Sequence, residues 1–279
     1  MDRPRILLTN DDGIDSVGLH TMARRLQELA EVVVVAPDYE YSGAGASIGA
    51  LHTIQPQAHL VDLDGIETAY SVNGPPGLCV MFANLGAFGP RPDMIVSGIN
   101  PGANVGRSIY HSGTVGACLT GRNYGIPGVA VSQGAAGFGF EGQAYEDMLA
   151  NQIWDSAAQV ALVAVEAMLT LPTDEPHLLN LNVPNLPIDQ LAEWRWTEVA
   201  RFPTRAMSKA TLVPKTGHNR AFTVEMEWGD QLPQPEGTDT QAMVDEVISA
   251  SWLGRIEAAD RDTKAIDAAF DQFRADLAG

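Results

Sequence analysis

The sequence predicts an α/β fold: a Rossmann-like, doubly wound, mostly parallel sheet carrying a C-terminal antiparallel hairpin and helix extension. Three observations predict it. Apolar, β-branched runs such as Glu31-Val32-Val33-Val34-Val35-Ala36 read as parallel strands covered on both faces. Segments with apolar residues at helical spacing lie between those runs. Polar or glycine-rich stretches follow strand after strand, as they do at the carboxyl edge of a doubly wound sheet, where ligands bind.

In order along the chain, Arg5-Ile6-Leu7-Leu8 is the first short strand. Leu19, Met22, Ala23, Leu26 and Leu29 then repeat at helical spacing. The run from Glu31 is stopped by Pro37-Asp38. Residues 51–72 predict a small antiparallel excursion of three short strands: His52-Thr53-Ile54, residues 58–63 and residues 68–72. Asp64-Gly65 is its turn. Met94-Ile95-Val96-Ser97 and Val129-Ala130-Val131-Ser132 are two further buried strands, with a helix over residues 113–122 between them. Residues 135–145, rich in glycine and aromatic side chains, read as a loop, residues 147–171 as one long helix, and residues 178–183 as another buried strand.

The last third differs. Residues 194–199, 210–213 and 221–227 suggest an antiparallel hairpin system on the flank of the sheet, residues 231–237 a proline-containing loop, and residues 263–277 an amphipathic terminal helix. The expected division is a catalytic core over residues 1–190 and an extension over residues 191–279.

Composition narrows the function. With 45% hydrophobic and 19% charged residues among 279, the chain reads as soluble and globular. No apolar run reaches 18 residues, and the first acidic pair comes too early for a signal sequence, so a cytoplasmic protein is expected. The formal net charge of -18 argues against a nucleic-acid polymer or an anionic membrane as partner. It also means that a phosphate substrate needs local help from a metal ion, backbone N–H groups or a small cationic patch. Cys79 and Cys118 are too few for a disulfide framework and read as small buried residues.

Four loops carry the chemistry: Thr9-Asn10-Asp11-Asp12-Gly13, residues 38–47 (DYEYSGAGAS), Gly98-Ile99-Asn100-Pro101-Gly102-Ala103-Asn104, and Tyr110-His111-Ser112-Gly113-Thr114. The first three follow strands and should face one crevice; the fourth opens a helix that can reach it. Two carboxylates with Ser and Asn oxygens form an all-oxygen set suited to Mg²⁺ or Mn²⁺. A divalent cation would also remove the mutual repulsion of Asp11 and Asp12. Ser112-Gly113-Thr114 at a helix start offers free N–H groups and the positive end of the dipole to a phosphate. Metal and anion cradle together suggest phosphate-ester hydrolysis. Taken singly, each loop has a plainer reading: a turn, or a helix cap at Asp-Asp-Gly and at Ser112 or Thr114. GxxxxGK[ST] is not present, and no GxGxxG directly joins one of these strands to a helix.

These segments resemble the SurE survival-protein family of metal-dependent nucleotide phosphatases. ILLTNDDGIDSVGL, VVVVAPDYEYSGAGASI, VNGPPGLCV, PDMIVSGINPGANVG and YHSGTVGACLTGRNYGIPGVAVS carry the likeness, with fainter echoes in LLNLNVPNLP and GTDTQAMVDEVISASWL. By matching position, the resemblance implies one divalent cation per subunit on Asp11, Asp12, Ser42 and Asn100. It implies a phosphate site lined by Asn104, Gly43, Ser112, Gly113 and Thr114, with Asp11, Asp12, Asn104, Ser112 and Thr114 acting in catalysis. It further implies hydrolysis of nucleoside 5'- or 3'-monophosphates or related monoesters. The C-terminal region would be exchanged between subunits of a homodimer or homotetramer.

The chain departs from the family pattern around the substrate. Tyr39 and Tyr41 stand where arginines are usual, Pro75 and Leu78 replace a threonine and an aspartate, His111 replaces a tyrosine, and Thr120 a glutamate. Asp11 is the expected carboxylate to orient or deprotonate water, and His111 a candidate proton donor or a plain loop residue. The alternatives are a phosphatase for a non-nucleotide ester, or an inactive metal- or ligand-binding assembly protein.

Overall fold

The computed structural model describes residues 3–49, 51, 55–135, 148–172, 175–202, 207–230 and 232–278. Six parallel strands form the middle of a nine-stranded sheet. In chain order they are β1 (Arg5–Thr9), β2 (Glu31–Pro37), β4 (Thr68–Val72), β5 (Met94–Pro101), β6 (Gly128–Gln133) and β7 (Leu178–Val183). In space they run β4-β2-β1-β5-β6-β7. β3 (Ala58–Leu60) adds to one edge, antiparallel to β4. At the other edge β11 (Ile248–Trp252) pairs antiparallel with β7, and β8 (Trp194–Trp196) pairs parallel with β11. β9 (Met207–Pro214) and β10 (Phe222–Trp228) make a separate antiparallel hairpin.

Alternation along the strands builds two apolar layers. Ile6, Leu8, Val34 and Val96 face α1 (Val17–Leu26) and α4 (Trp154–Met168). Leu7, Val33, Val35 and Ile95 face α2 (Pro76–Asn84) and α3 (Gly113–Asn123). The ten residues of α1 are too few to hold a helix in isolation, and its Ser16 cap makes no side-chain bond. Burial of Leu19, Met22 and Leu26, worth roughly 1.5–3 kcal/mol per side chain, is therefore what holds it. Cys79 on α2 and Cys118 on α3 are free thiols inside the second layer. Burial pushes the Cys79 thiol up to about 12. Among the described residues no helix is long and apolar enough to cross a membrane.

Several elements differ from expectation. The helix expected over 147–171 is shorter, Trp154–Met168. Asn151 adopts a left-handed φ of 59°. The Asn185 amide takes the neighbouring backbone, accepting from Ile153 N at 2.9 Å and donating to Asn151 O at 3.0 Å. These groups are lost to a helical ladder. The excursion at 51–72 is no separate unit: β4 pairs parallel with β2 and only β3 is antiparallel. Its first strand, 52–54, lies outside the described residues, as do 136–145 of the expected glycine-rich loop. Of the expected hairpin system only β9 and β10 form a hairpin, because β8 joins the main sheet. Two helices had no sequence reading. Seven of the nine residues of α2 are buried, so it shows no polar face. The other, α5 (Asp239–Val244), is six residues long. The terminal helix is present as α6 (Lys264–Ala278).

Candidate metal and phosphate site

The first loop is shaped by Asn10. Its amide donates to Gly13 O at 3.1 Å, and its Oδ1 accepts from Gly13 N at 3.2 Å. This closes a tight turn just past β1 and displays Asp11 and Asp12 at the sheet's carboxyl edge. Gly13 has φ +101°, and a Cβ there would come 3.2 Å from the Tyr39 carbonyl carbon. The turn therefore seats directly against the second loop.

Asp11 is 3% exposed. Its Oδ1 accepts from Thr114 Oγ1 at 2.5 Å and its Oδ2 from Gly113 N at 3.0 Å. The carboxylate thus sits on the first turn of α3, where free N–H groups and the helix dipole favour an anion. Burial pushes its pKa up, opposed by hydrogen bonds from Thr114 and Gly113. Among the described residues no Lys, Arg or His forms an ion pair with it. The approach is so close that a Cβ on Gly113 would lie 2.7 Å from both Asp11 Cβ and Oδ2.

Asn100 lies near the end of β5, so the first part of the expected third loop is strand. The β5–β6 register breaks between Ser97 and Asn100, and Gly98 there has φ +134°, with a Cβ destined to strike Val131 O at 2.2 Å. The break brings Asn100 Oδ1 to 3.2 Å from Thr114 Oγ1, while Asn100 Nδ2 donates to Gly102 O at 2.7 Å. Thr114 has one hydroxyl proton. The 2.5 Å contact with Asp11 takes it, leaving the lone pairs of Asn100 Oδ1 unspent on Thr114.

The second loop is tied down at both ends. Tyr41 N donates to Asp11 O at 2.7 Å and Gly45 N to His111 O at 3.0 Å. Between these ties, Ser42 and Gly43 are exposed, and Gly43 has φ +82° with open space around it. Asp12 is half-buried. His111 is exposed and serves the loop through its carbonyl. Ser112 is the N-cap of α3, its Oγ accepting from Val115 N at 3.1 Å, which is the plainer of the two readings open to it.

Asn104, 7% exposed, is held by residues that sequence reasoning did not single out. Its N–H donates to Asn182 Oδ1 at 2.7 Å. Its carbonyl accepts from Asn180 at 2.9 Å and Asn182 at 3.2 Å, and its own amide donates to Ser132 Oγ at 2.8 Å. A signal was present: two amides at alternate positions of the buried strand LLNLNV, where a polar group requires a partner. Asp239, at 0% exposure, was also missed. Its carboxylate accepts from Gly106 N at 2.8 Å, Ala200 N at 2.9 Å and Thr240 N at 2.7 Å, pinning the turn that follows Asn104. Asp11 thus touches Gly113 and Thr114, Asn100 near the end of β5 touches Thr114, and Asn104 lies four residues beyond Asn100.

Comparison with known proteins gives a consistent result. The family profile described as "Survival protein SurE" matches residues 6–205. A protein of Vibrio vulnificus (strain CMCP6) named 5'-nucleotidase SurE is 36% identical over 269 residues, 94% of each chain. One of Klebsiella pneumoniae (strain 342) named 5'/3'-nucleotidase SurE is 34% identical over 249 residues, 89% of each chain. The crystal structure of SurE protein from Aquifex aeolicus superposes with a TM-score of 0.69 at 29% identity, covering 95% of this chain and 98% of that one. Profile, relatives and solved structure all span the region that carries the site, and the chain belongs to the SurE family.

Proposed function

We propose that this protein is a divalent-metal-dependent phosphomonoesterase that hydrolyses nucleoside 5'- or 3'-monophosphates. The observation that carries the reading is the buried Asp11 carboxylate, set on the first turn of α3 with Asn100 beside it. A buried carboxylate costs free energy unless a cation or donors compensate it. The donor set is all oxygen, and among the described residues no three or more His, Cys, Asp or Glu are grouped so as to hold a metal ion by themselves. That chemistry fits Mg²⁺ or Mn²⁺ better than zinc. The relatives named 5'-nucleotidase and 5'/3'-nucleotidase support the substrate class.

In this reading Asp11, Asp12, Ser42 and Asn100 hold the cation, which supplies charge neutralisation for the phosphoryl group and acidity for a water. Gly113 and Thr114 N–H groups at the helix start, with Ser112, Gly43 and Asn104, cradle the phosphate oxygens and take charge that grows on them. Asp11 orients the attacking water and receives its proton. The new bond joins the water oxygen to phosphorus, the ester P–O bond breaks, and the alkoxide takes a proton from solvent to leave as the alcohol, while Asp11 returns to solvent the proton it received. Asn180 and Asn182 fix the backbone of Asn104 and so act as positioning residues.

We also propose a homodimer or homotetramer in which the region 191–279 is shared between copies. Ile266, Phe270, Phe273 and Leu277 form one stripe of α6 at helical spacing, each 59–72% exposed. The hairpin places Leu212, Phe222, Val224 and Met226 on one face, each 53–64% exposed. Two such faces on one chain call for a cover.

The test is Asp12→Asn. It keeps the shape of the side chain and removes a ligand charge. Activity should fall at least about 100-fold, since even outer partners of a metal site matter 10- to 100-fold. EDTA should silence the wild type, and Mg²⁺ or Mn²⁺ should restore it. At 100 times its Kd the metal should stabilise the wild type by about 2.7 kcal/mol and leave the variant nearly unmoved. Full, EDTA-resistant activity in Asp12→Asn would overturn the reading.

A further inference from the structure

The loop leading into Ser42 carries an aromatic pair that the catalytic reading leaves unused. The Tyr39 and Tyr41 rings stack with centroids 4.4 Å apart and planes 26° from parallel. Tyr41 is half-buried, whereas Tyr39 is 60% exposed. Both are anchored to the turn that bears the two aspartates: Tyr41 through its N–H on Asp11 O at 2.7 Å, Tyr39 through its backbone packed on Gly13. Ser42 follows Tyr41 directly. The pair is thus a braced inner ring with an outer ring open to solvent, at the rim of the phosphate site.

A stacked pair that ends in an exposed face can be extended by a third flat ring. Planar heterocycles stack on aromatic side chains irrespective of their hydrogen-bonding edges. The flanking charges decide between ligand classes. Residues 38–47 contain Asp38 and Glu40 and neither Lys nor Arg. This disfavours a second or third phosphate beyond the one held at Asp11 and α3, and it disfavours an anionic surface.

We propose that Tyr39, backed by Tyr41, is a specificity-determining residue that stacks on the base of a nucleoside monophosphate while the phosphate occupies the site at Asp11 and the α3 N-terminus. The inference rests on the nucleotidase reading and adds to it the residue by which a monophosphate carrying a flat base is preferred to a bare sugar phosphate and to a polyphosphate.

The experiment compares adenosine 5'-monophosphate with ribose 5-phosphate, which has the same ester and no base, for the full chain supplied with Mn²⁺. The wild type should favour the nucleotide in kcat/KM by roughly tenfold or more, the scale of one stacked base. Tyr39→Ala should lose about that factor on the nucleotide alone, through KM, with ribose 5-phosphate and the melting temperature unchanged. Tyr39→Phe should retain the preference. Equal losses on both esters, or none on either, would overturn the proposal. If the wild type hydrolyses neither ester, the nucleotidase reading has failed, and calorimetric titration with adenosine decides the platform separately. Saturable binding that Tyr39→Ala weakens sustains it, and no binding overturns it.

Discussion

At Gly113 a single hydrogen in place of a side chain lets the Asp11 carboxylate meet the first turn of α3. The Asp11 carboxylate and the first turn of α3 approach so closely that a methyl group would have to displace one of them, at 2.7 Å from two Asp11 atoms. Overpacking of this kind costs about 1–3 kcal/mol. A displacement near 1 Å at a reacting centre costs about 100-fold in rate. Gly113→Ala should therefore fold, melt lower and lose about 100-fold in kcat/KM; full activity would show that the contact is not needed. Legibility at this scale was uneven. That Asp11, Asn100, Gly113 and Thr114 come together was legible because polar and glycine-rich stretches after apolar runs share one edge of a parallel sheet. Asn180, Asn182 and Asp239 were not, because each serves a backbone group contributed by a distant segment. A partner 76 to 133 positions away leaves no local spacing to read.

Among the elements, β7 has two tasks. Its apolar residues close the sheet between β6 and β11, and its two amides hold the Asn104 backbone. Asn182→Ala removes the acceptor of the Asn104 N–H and one of two donors to its carbonyl. An orphaned buried polar group costs about 1–3 kcal/mol. The variant should melt lower by that amount, and kcat should drop about tenfold while Mn²⁺ affinity stays near wild type, because Asn104 is not among the proposed ligands. Equal metal affinity with unaltered kcat would show that β7 only supports the fold. The parallel strands were legible from their β-branched runs. Helix α2 was hidden because Pro75-Pro76-Gly77 reads as a break, although proline is well suited to the first turn of a helix. It was hidden also because burial all round erases a 3.6-residue period. The limits of α4 were misread because its apolar pattern runs on past the point where Asn185 diverts the chain.

Over the whole molecule, the class of fold followed from local pattern, while the order of the strands and the placement of β8 and β11 did not. β11 takes the edge of β7 and β8 the edge of β11, pairings that no short window contains. The same arrangement indicates where to cut. Removing residues 237–279 would take β11 out of the sheet and Asp239 off Gly106. Ending the chain after Leu253 keeps both, along with the Arg122 bond to Leu253 O at 2.6 Å, and deletes α6 with its exposed stripe. That truncated protein should stay folded and active but form a smaller assembly by light scattering; an unchanged mass would remove α6 from the interface. The Asp239 clamp also sets an order of events in time. Gly106 and Asp239 are 133 positions apart, as Asp11 and Thr114 are 103 apart. Contacts of such span close slowly. A growing chain can pair β1, β2 and β5 early, yet the turn behind Asn104 finds its clamp only after residue 239 has been made. At roughly 5–20 residues per second, that is on the order of ten to fifty seconds after synthesis begins. In that interval the nascent sheet carries an unclamped turn beside Asn104, and the hydrogen bond that closes it comes with the last sixth of the chain.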